Sequence, residues 1–375
     1  MKIILTGPSF PFRGGIANFN DSLYNALVNE HDVQIIGFSL LYPAFLFPGK
    51  SQYENGSEKA GHVSGRLINS INPLSWFSAA GEIAGKRPEC VVIHYWTPFL
   101  APALGTIARL VKRRSDVKVI GLIHNITPHE KTPASPILNK YFLKSCDSFI
   151  TLSLPVHDEL QSLGIQKPVR VIPHPLYDIF GEPVSRQVAC RHLDLDEHQY
   201  HILFFGMIRQ YKGLDLFLKA GASSRLEHLN LKLIVAGEFY EGRDKYSRLV
   251  KELGLEKKVI FTDGFVPGSE VPYYFGAADL VVLPYRSATQ SGVTKIAFHY
   301  DKPVLVTNVG GLDQEIANGV TGYVCSKDPD DIAVSIADYF DNRRSDEFTE
   351  NIRTVKKRYS WEELARGITE LALSD

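Results

Sequence analysis

Cysteine is scarce in this chain, and no two cysteines are close together. The four stand at positions 90, 146, 190 and 325. Zinc sites and small disulfide frameworks need cysteines at short, regular spacing, so the sequence predicts neither. We expect reduced thiols in a cytoplasmic protein, since disulfides persist mainly in oxidising compartments.

Long apolar runs are also missing. No stretch is apolar for the roughly 18 residues that a membrane-spanning helix needs, so the sequence predicts no such helix. The apolar run at residues 3–5 is too short for the core of a signal peptide. We interpret it as part of a buried first strand.

Neither sign of charge dominates the chain. There are 41 Lys and Arg against 42 Asp and Glu; residues 1–175 hold 17 against 12, and residues 176–375 hold 24 against 30. The basic excess of the first half is too small to predict a nucleic-acid partner. It is compatible with weak, peripheral contact with an anionic membrane at its inner face.

The apolar segment 38–48 could contact lipid or acceptor, or could fold onto its own domain.

The dinucleotide fingerprint Gly-x-Gly-x-x-Gly is absent, which disfavours a dinucleotide oxidoreductase. In its place Gly14-Gly15 follows the first strand and precedes a helical pattern. Paired glycines let the backbone approach a ligand closely and leave amide groups available to an anion. A plain tight turn uses the same residues, so this pair does not decide between the two interpretations.

Short β-rich runs alternate with helix-length segments through the rest of the chain. The predicted strands are 33–38, 90–94, 117–124, 148–152 and 169–172, then 201–205, 231–236, 259–262, 280–283 and 304–307. This alternation predicts right-handed βαβ units and parallel sheets. The predicted fold class is therefore α/β, with two Rossmann-like domains of about five strands each. A final helix begins after Ser360, which can cap it with Glu363 at the capping-box position.

The most informative segment is 204–213, Phe-Phe-Gly-Met-Ile-Arg-Gln-Tyr-Lys-Gly. An apolar strand ends at Gly206, Arg209 and Lys212 flank a short turn, and a helix opens after Gly213. Guanidinium and ammonium groups donate charge-assisted hydrogen bonds to phosphate oxygens, and a helix start adds backbone amides. The segment predicts a diphosphate site; the alternative is a strand end with two solvated surface cations.

Polar residues follow two other predicted strands. His124 ends strand 117–124, where open α/β sheets place ligand groups, although a lone histidine is often structural. Ser291 and Gly292 open a helix after strand 280–283, so their amides and the helix dipole would favour phosphate. Their alternative role is an ordinary helix cap.

Taken in order, five segments resemble the second domain of the family-4 retaining glycosyltransferases: 206–213, 264–267, 278–285, 302–304 and 310–323. Gly14-Gly15 and His124 match the first domain, so the resemblance spans nearly the whole chain. It implies the glycosyltransferase B fold, with two Rossmann-like domains facing across a cleft and a C-terminal helix returning to the first. The implied domains are 1–174 with 360–375, on the acceptor side, and 175–359, which binds the nucleotide sugar. The family uses a nucleotide-diphosphate sugar as co-substrate, with no metal ion and no other cofactor.

The residues and the resemblance together predict a set of site residues. The catalytic residues are His124, Arg209 and Lys212, and the donor-binding residues are Gly14, Gly15, Gly206, Glu238, Phe265, Val266, Thr289, Gln290, Ser291, Gly292 and Glu315.

Two departures from the family pattern bear on the donor. The family usually has arginine directly after the glycine at 206, where Met207 stands here. It commonly has two glutamates separated by seven residues, and these positions hold Ala288 and Ile296. Since the second glutamate usually holds the donor ribose, we expect Thr289 or Gln290 to contact the donor here; Glu315 or backbone groups are the alternative.

The predicted function is transfer of a sugar from a nucleotide-diphosphate donor to a hydroxyl group of a carbohydrate or lipid-linked acceptor, with retention at the anomeric carbon. It would serve glycolipid or surface polysaccharide assembly. Fixed positive groups would stabilise the charge that builds on the leaving diphosphate. Two alternatives stay open: an epimerase or phosphorylase of the same fold, and an inactive nucleotide-sugar-binding or scaffold protein that lacks the glutamates.

Overall fold

The computed structural model describes residues 1–43, 51–53, 63–126, 135–240, 242–288 and 291–374. The chain divides into two compact units, Met1–Pro175 with Tyr359–Asp375, and Leu176–Arg358. Each unit contains one sheet whose paired strands are all parallel and are linked through helices. The predicted α/β class with two Rossmann-like domains is confirmed.

The first unit has a seven-stranded sheet in the order β3-β2-β1-β4-β5-β6-β7. Its strands are β1 (Lys2–Thr6), β2 (Asp32–Leu40), β3 (Val63–Asn69), β4 (Cys90–Tyr95), β5 (Lys118–Ile123), β6 (Ser148–Thr151) and β7 (Val169–Val171). Its connecting helices are α1 (Gly15–Leu27), α2 (Pro73–Gly85), α3 (Ala101–Arg114), α4 (Ser135–Leu143) and α5 (Leu154–Ser162).

The second unit has a six-stranded sheet in the order β10-β9-β8-β11-β12-β13. Its strands are β8 (Tyr200–Phe205), β9 (Leu231–Gly237), β10 (Val259–Asp263), β11 (Leu280–Leu283), β12 (Val304–Thr307) and β13 (Gly322–Cys325). Its helices are α6 (Arg186–His192), α7 (Leu214–Gly221), α8 (Arg243–Glu252), α9 (Val271–Ala277), α10 (Gly292–His299), α11 (Leu312–Glu315), α12 (Pro329–Asp341) and α13 (Ser345–Val355).

The last helix, α14 (Trp361–Leu373), belongs to the first unit and packs on α1. The Ser360 hydroxyl accepts the first-turn amide of Glu363 at 3.1 Å, as the capping pattern predicts. Gly367 permits close packing, because a Cβ there would lie 2.2 Å from Ile172 Cδ1. The predicted return of the C-terminal helix to the first domain is therefore confirmed.

Two strands were missed by the sequence patterns, and the sheets have seven and six strands where about five each were expected. β3 is an edge strand whose run contains Ser64, Gly65 and Arg66 and alternates between half-buried and exposed residues. β13 has only four residues and also lies at an edge. Ser64, Gly65 and Arg66 interrupt β3 and Gly322 opens β13, so neither shows the continuous apolar run that marks a buried parallel strand.

The apolar segment 38–48 is only partly a loop. Residues 38–40 complete β2, and Phe38 and Leu41 are buried in the core of the first unit. For this part the segment folds onto its own domain, whereas residues 44–48 lie outside the described residues.

All four cysteines are unpaired and buried. Within the described ranges no helix is long and apolar enough to cross a membrane.

Candidate functional site

The predicted diphosphate residues lie at the switch point of the second sheet. The chain leaves β8 toward β9 on one side, while β11 pairs with β8 on the other. Open α/β sheets bind ligands in the crevice at the carboxyl ends of two such strands. Residues 206–213 follow β8, and Ser291 and Gly292 follow β11.

Glycine is required where these two loops meet. Gly206 has φ 102° and Gly213 has φ 69°, both in the region that side chains disfavour. A Cβ on Gly213 would lie 2.0 Å from the carbonyl oxygen of Pro284, which follows β11. The glycines recognised in the sequence therefore allow the loop after β8 to contact the loop after β11.

Lys212 is the unusual side chain of this site, because it is 7% exposed yet faces no carboxylate partner among the described residues. Its ammonium lies 5.2 Å from the centre of the Tyr285 ring. Burial lowers the pKa of Lys212 below its usual value; the nearby Tyr211 offsets this in part, and Arg209 adds to it. The alternative of a solvated surface cation is wrong for Lys212.

Arg209 lies at the start of the same turn and is only partly buried. Its guanidinium stacks over the Tyr240 ring at 4.9 Å. The carbonyl of Arg209 accepts the amide of Lys212 at 2.9 Å, which closes the turn. Both cations of the predicted motif are thus held by one short 3₁₀ turn, Gln210–Lys212.

The start of α10 borders the same place. A Cβ added to Gly206 would lie 3.2 Å from Lys212 Nζ and 3.7 Å from Val293 Cγ2, in the first turn of α10. Ser291 caps α10 by accepting the amide of Val293 at 3.2 Å, which is the alternative role considered for it, and is itself buried. The structure therefore brings a buried ammonium and a helix N-terminus together.

A buried ion pair behind α10 was not predicted. Lys295 Nζ lies 3.4 Å from Glu315 Oε2. The Thr294 hydroxyl lies 2.5 Å from that oxygen and 2.5 Å from the Ser291 carbonyl oxygen, and donates to one of them. This pair links Glu315, on α11, to the first turn of α10. Ala288 and Ile296, which replace the family's glutamates, are both buried.

The other predicted donor residues follow neighbouring strands of the same sheet. Glu238 follows β9 and is buried, with its carbonyl accepting the amide of Ile208 at 2.8 Å. Phe265 and Val266 follow β10, where Phe265 is exposed and Val266 half-buried. The remaining two, Thr289 and Gln290, lie outside the described residues.

In the first unit, Gly14 and Gly15 lie at the corresponding switch point, after β1 and beside β4. Gly14 has φ 113° and precedes α1, and no heavy atom of the described residues lies within 4 Å of a Cβ added there. The space beside the Gly14 Cα is therefore open within this part of the chain. This geometry fits the close backbone approach of a ligand better than tight packing of a turn.

His124 follows β5 and is buried rather than open to solvent. Its Nε2 lies 3.0 Å from Nδ1 of His94, and the Phe19 ring packs edge-on against it at 4.8 Å. Burial lowers the pKa of His124 well below its usual value, and His94 and His174 lower it further. Burial also lowers the pKa of His94, to about 3. Both imidazoles are therefore neutral at pH 7.

His94 was not recognised in the sequence, where it is one more residue of an apolar strand. Its Nε2 has no hydrogen-bond partner within the described part of the chain.

Across the described ranges, no three His, Cys, Asp or Glu side chains come together as a possible metal site.

Two family models match the chain. The one described as glycosyl transferases group 1 matches residues 186–355, and the one described as glycosyltransferase family 4 matches residues 13–176. An uncharacterized glycosyltransferase of Methanocaldococcus jannaschii is 32% identical, over 98% of this chain and 96% of its own. A lipopolysaccharide 1,2-N-acetylglucosaminetransferase of Salmonella typhimurium is 28% identical, over 92% of this chain and 85% of its own.

Solved structures share the fold over nearly the full length. HepE of Anabaena in complex with UDP has a TM-score of 0.75 at 15% identity, covering 99% of both chains. The same protein with UDP-glucose has a TM-score of 0.71 at 16% identity, covering 98% of both. These likenesses show that the fold is of the glycosyltransferase B type.

Proposed function

Because the chain belongs to the group 1 glycosyltransferases of family 4, we propose that it moves a hexose from a nucleotide-diphosphate sugar to a hydroxyl acceptor, with retention at the anomeric carbon. The observation that carries this proposal is Lys212, a buried ammonium beside the start of α10. Buried charges in proteins are normally paired. The partner of Lys212 is then the diphosphate of the donor.

Cleavage of the sugar–phosphate bond leaves negative charge on the diphosphate. Arg209, Lys212 and the amides at Ser291 and Gly292 would stabilise that charge more strongly in the transition state than in the bound donor. These groups would do so without a metal ion. Thr289, Gln290 or Glu315 would hold the ribose in place of the family's glutamate.

We propose that Gly14, Gly15 and His124 of the first unit contact the transferred sugar. With both imidazoles neutral, His124 would act as a hydrogen-bonding group and not as a general acid. The hydrogen bond to His94 would fix the orientation of its ring.

Two of the similar proteins support a proposal for the chemical class of the donor and of the acceptor. HepE was solved with UDP and with UDP-glucose, and the Salmonella relative is a lipopolysaccharide glycosyltransferase. We therefore propose a nucleoside-diphosphate hexose as donor and a carbohydrate or lipid-linked acceptor. The reaction would serve glycolipid or surface polysaccharide assembly, with the protein cytoplasmic and peripheral at the inner face of the membrane.

A donor screen followed by a transfer assay tests this proposal. Uridine, guanosine and adenosine diphosphate sugars are compared by thermal shift, and the best donor is incubated with hydroxyl acceptors. We expect acceptor-dependent release of nucleoside diphosphate, and NMR of the product showing the donor's anomeric configuration. Donor binding without release would indicate an inactive binding protein, and conversion of the donor without acceptor would indicate an epimerase. An inverted product would contradict retention.

A further inference from the structure

Helices α2, α3 and α4 form one layer on the first sheet. The connections from β3 to β4, β4 to β5 and β5 to β6 all run in the same direction across the sheet. Right-handed crossovers therefore place α2, α3 and α4 on one face, and α3 packs against both of the others. The outer side of this layer is a single surface of the first unit.

Large apolar side chains are exposed on this layer. Leu74 and Phe77 of α2 are 79% and 50% exposed, and Ile137 of α4 is 75% exposed. Leu74 and Phe77 are three residues apart, so they lie on the same side of α2. Exposed apolar residues are common singly, but a group of them on one layer is typical of an interaction surface.

Exposed basic side chains belong to the same layer. Arg114 Nη1 donates to the backbone carbonyl oxygen of Phe77 at 3.3 Å, which places its guanidinium against α2. Arg113 is exposed on α3, Lys140 is exposed on α4, and Lys144 is exposed directly after α4. Among the described residues Lys112 pairs with Asp147, whereas no carboxylate pairs with Arg113, Lys140 or Lys144.

We propose that this outer surface, which we call the α2–α4 face (Leu74, Phe77, Arg113, Arg114, Ile137, Lys140, Lys144), binds an anionic lipid bilayer. An anionic bilayer attracts proteins that carry both kinds of group. Exposed apolar side chains enter the membrane interface, and Lys and Arg side chains interact with the anionic headgroups. A nucleic-acid site would use the cations without needing exposed Leu74 and Ile137. The inference deepens the membrane contact proposed above and replaces segment 38–48 as its structural basis.

Vesicle co-sedimentation of the full chain tests the α2–α4 face. Binding to phosphatidylglycerol-containing vesicles is compared with binding to pure phosphatidylcholine vesicles, at low salt and without donor or acceptor. We expect the intact protein to bind the anionic vesicles preferentially. The assay uses no substrate, so its failure is distinguishable from failure of the transferase proposal.

Two variants separate the apolar from the cationic contribution. Leu74→Ser/Phe77→Ser/Ile137→Ser and Arg113→Gln/Lys140→Gln/Lys144→Gln should each weaken vesicle binding by about tenfold or more. Two variants serve as controls and should bind vesicles as the intact protein does. The apolar control is Leu373→Ser, at a residue of α14 that is 69% exposed. The cationic control is Lys251→Gln/Lys257→Gln/Lys258→Gln, in the second unit. All four should keep transfer to a soluble acceptor and their thermal unfolding temperature.

Equal vesicle binding by the face variants and their controls would overturn the proposal. So would a dimer that the apolar triple variant dissociates, since the face would then be covered by a second copy of the chain. Preferential binding of RNA over anionic vesicles, lost in the cationic triple variant, would also overturn it.

Discussion

Lys212 carries a cost in the free energy of folding that an ordinary surface lysine does not. Its ammonium is buried without a carboxylate partner in the described part of the chain, and burial lowers its pKa. A charge kept in this condition indicates a binding role, because a neutral side chain would be cheaper to bury.

Lys212→Met tests that role in catalysis, because methionine keeps the apolar stem and removes the charge. We expect kcat to fall by about 10²–10³, the scale for losing one fixed donor to a developing charge. The thermal unfolding temperature without ligand should stay equal or rise, since the uncompensated charge is gone. Lys219→Met, at an exposed position of α7, is the matched control. Near-normal turnover of folded Lys212→Met would exclude the role.

The buried histidines predict a pH dependence of stability. Folding lowers the pKa of His94 from its unfolded value near 6.5 to about 3, and that of His124 is also lowered. The stabilising contribution is therefore complete above pH 6.5 and is lost as pH falls toward 3. Each histidine contributes at most about 1.4 kcal/mol per pH unit to this loss.

His94→Asn should make that pH dependence shallower, since asparagine can still donate toward His124 but does not titrate. The free energy of unfolding is measured by urea titration between pH 7.5 and 5. Tryptophan fluorescence reports the first unit alone, because Trp76, Trp96 and Trp361 all belong to it. The same slope in the variant and the original protein would show that His94 does not titrate on unfolding.

Among single residues, the sequence correctly placed Arg209 and Lys212 in one turn, because they follow a strand and lie between two glycines. It could not predict the burial of Lys212, which depends on Tyr285 from another strand end. Lys295 was missed for a similar reason. Its partner Glu315 is 20 residues away in the chain, and nothing local marks the pair.

Among the elements, α10 has an observed cap at Ser291 and a proposed role in donor binding. Ser291→Asp tests the connection, because aspartate caps a helix as well as serine does. The cap of α10 should be retained, while the added carboxylate repels the diphosphate and raises the donor dissociation constant by about tenfold or more.

Ser360→Asp is the control for that experiment, since Ser360 caps α14 through the same type of bond. It should leave both stability and donor binding unchanged. Unaltered donor binding in Ser291→Asp, measured by thermal shift with the nucleotide sugar, would separate α10 from the donor site.

Strand prediction succeeded where a strand is buried on both faces. β11 and β12 were predicted with their observed bounds, and both are continuous buried runs. β3 and β13 were missed because Ser64, Gly65 and Arg66 interrupt the apolar run of β3 and β13 begins at Gly322. Pairing with a neighbour, which the sequence does not display, is what makes them strands.

For the whole molecule, we propose that side chains and helix amides neutralise the charge of the diphosphate in place of a metal ion. Transfer should therefore persist in excess EDTA at an undiminished initial rate. Magnesium or manganese added after chelation should produce no stimulation. Loss of activity in chelator that either ion restores would contradict this assignment.

We propose that the buried charge of Lys212 receives the donor diphosphate, and calorimetry of nucleoside-diphosphate binding measures this interaction. Anion binding should restore the lowered pKa of Lys212, so binding at alkaline pH should take up a proton from the buffer. We predict this proton uptake in the original protein, and its absence in Lys212→Met together with at least about tenfold weaker binding. Equal affinity and equal proton uptake in the two proteins would contradict the claim.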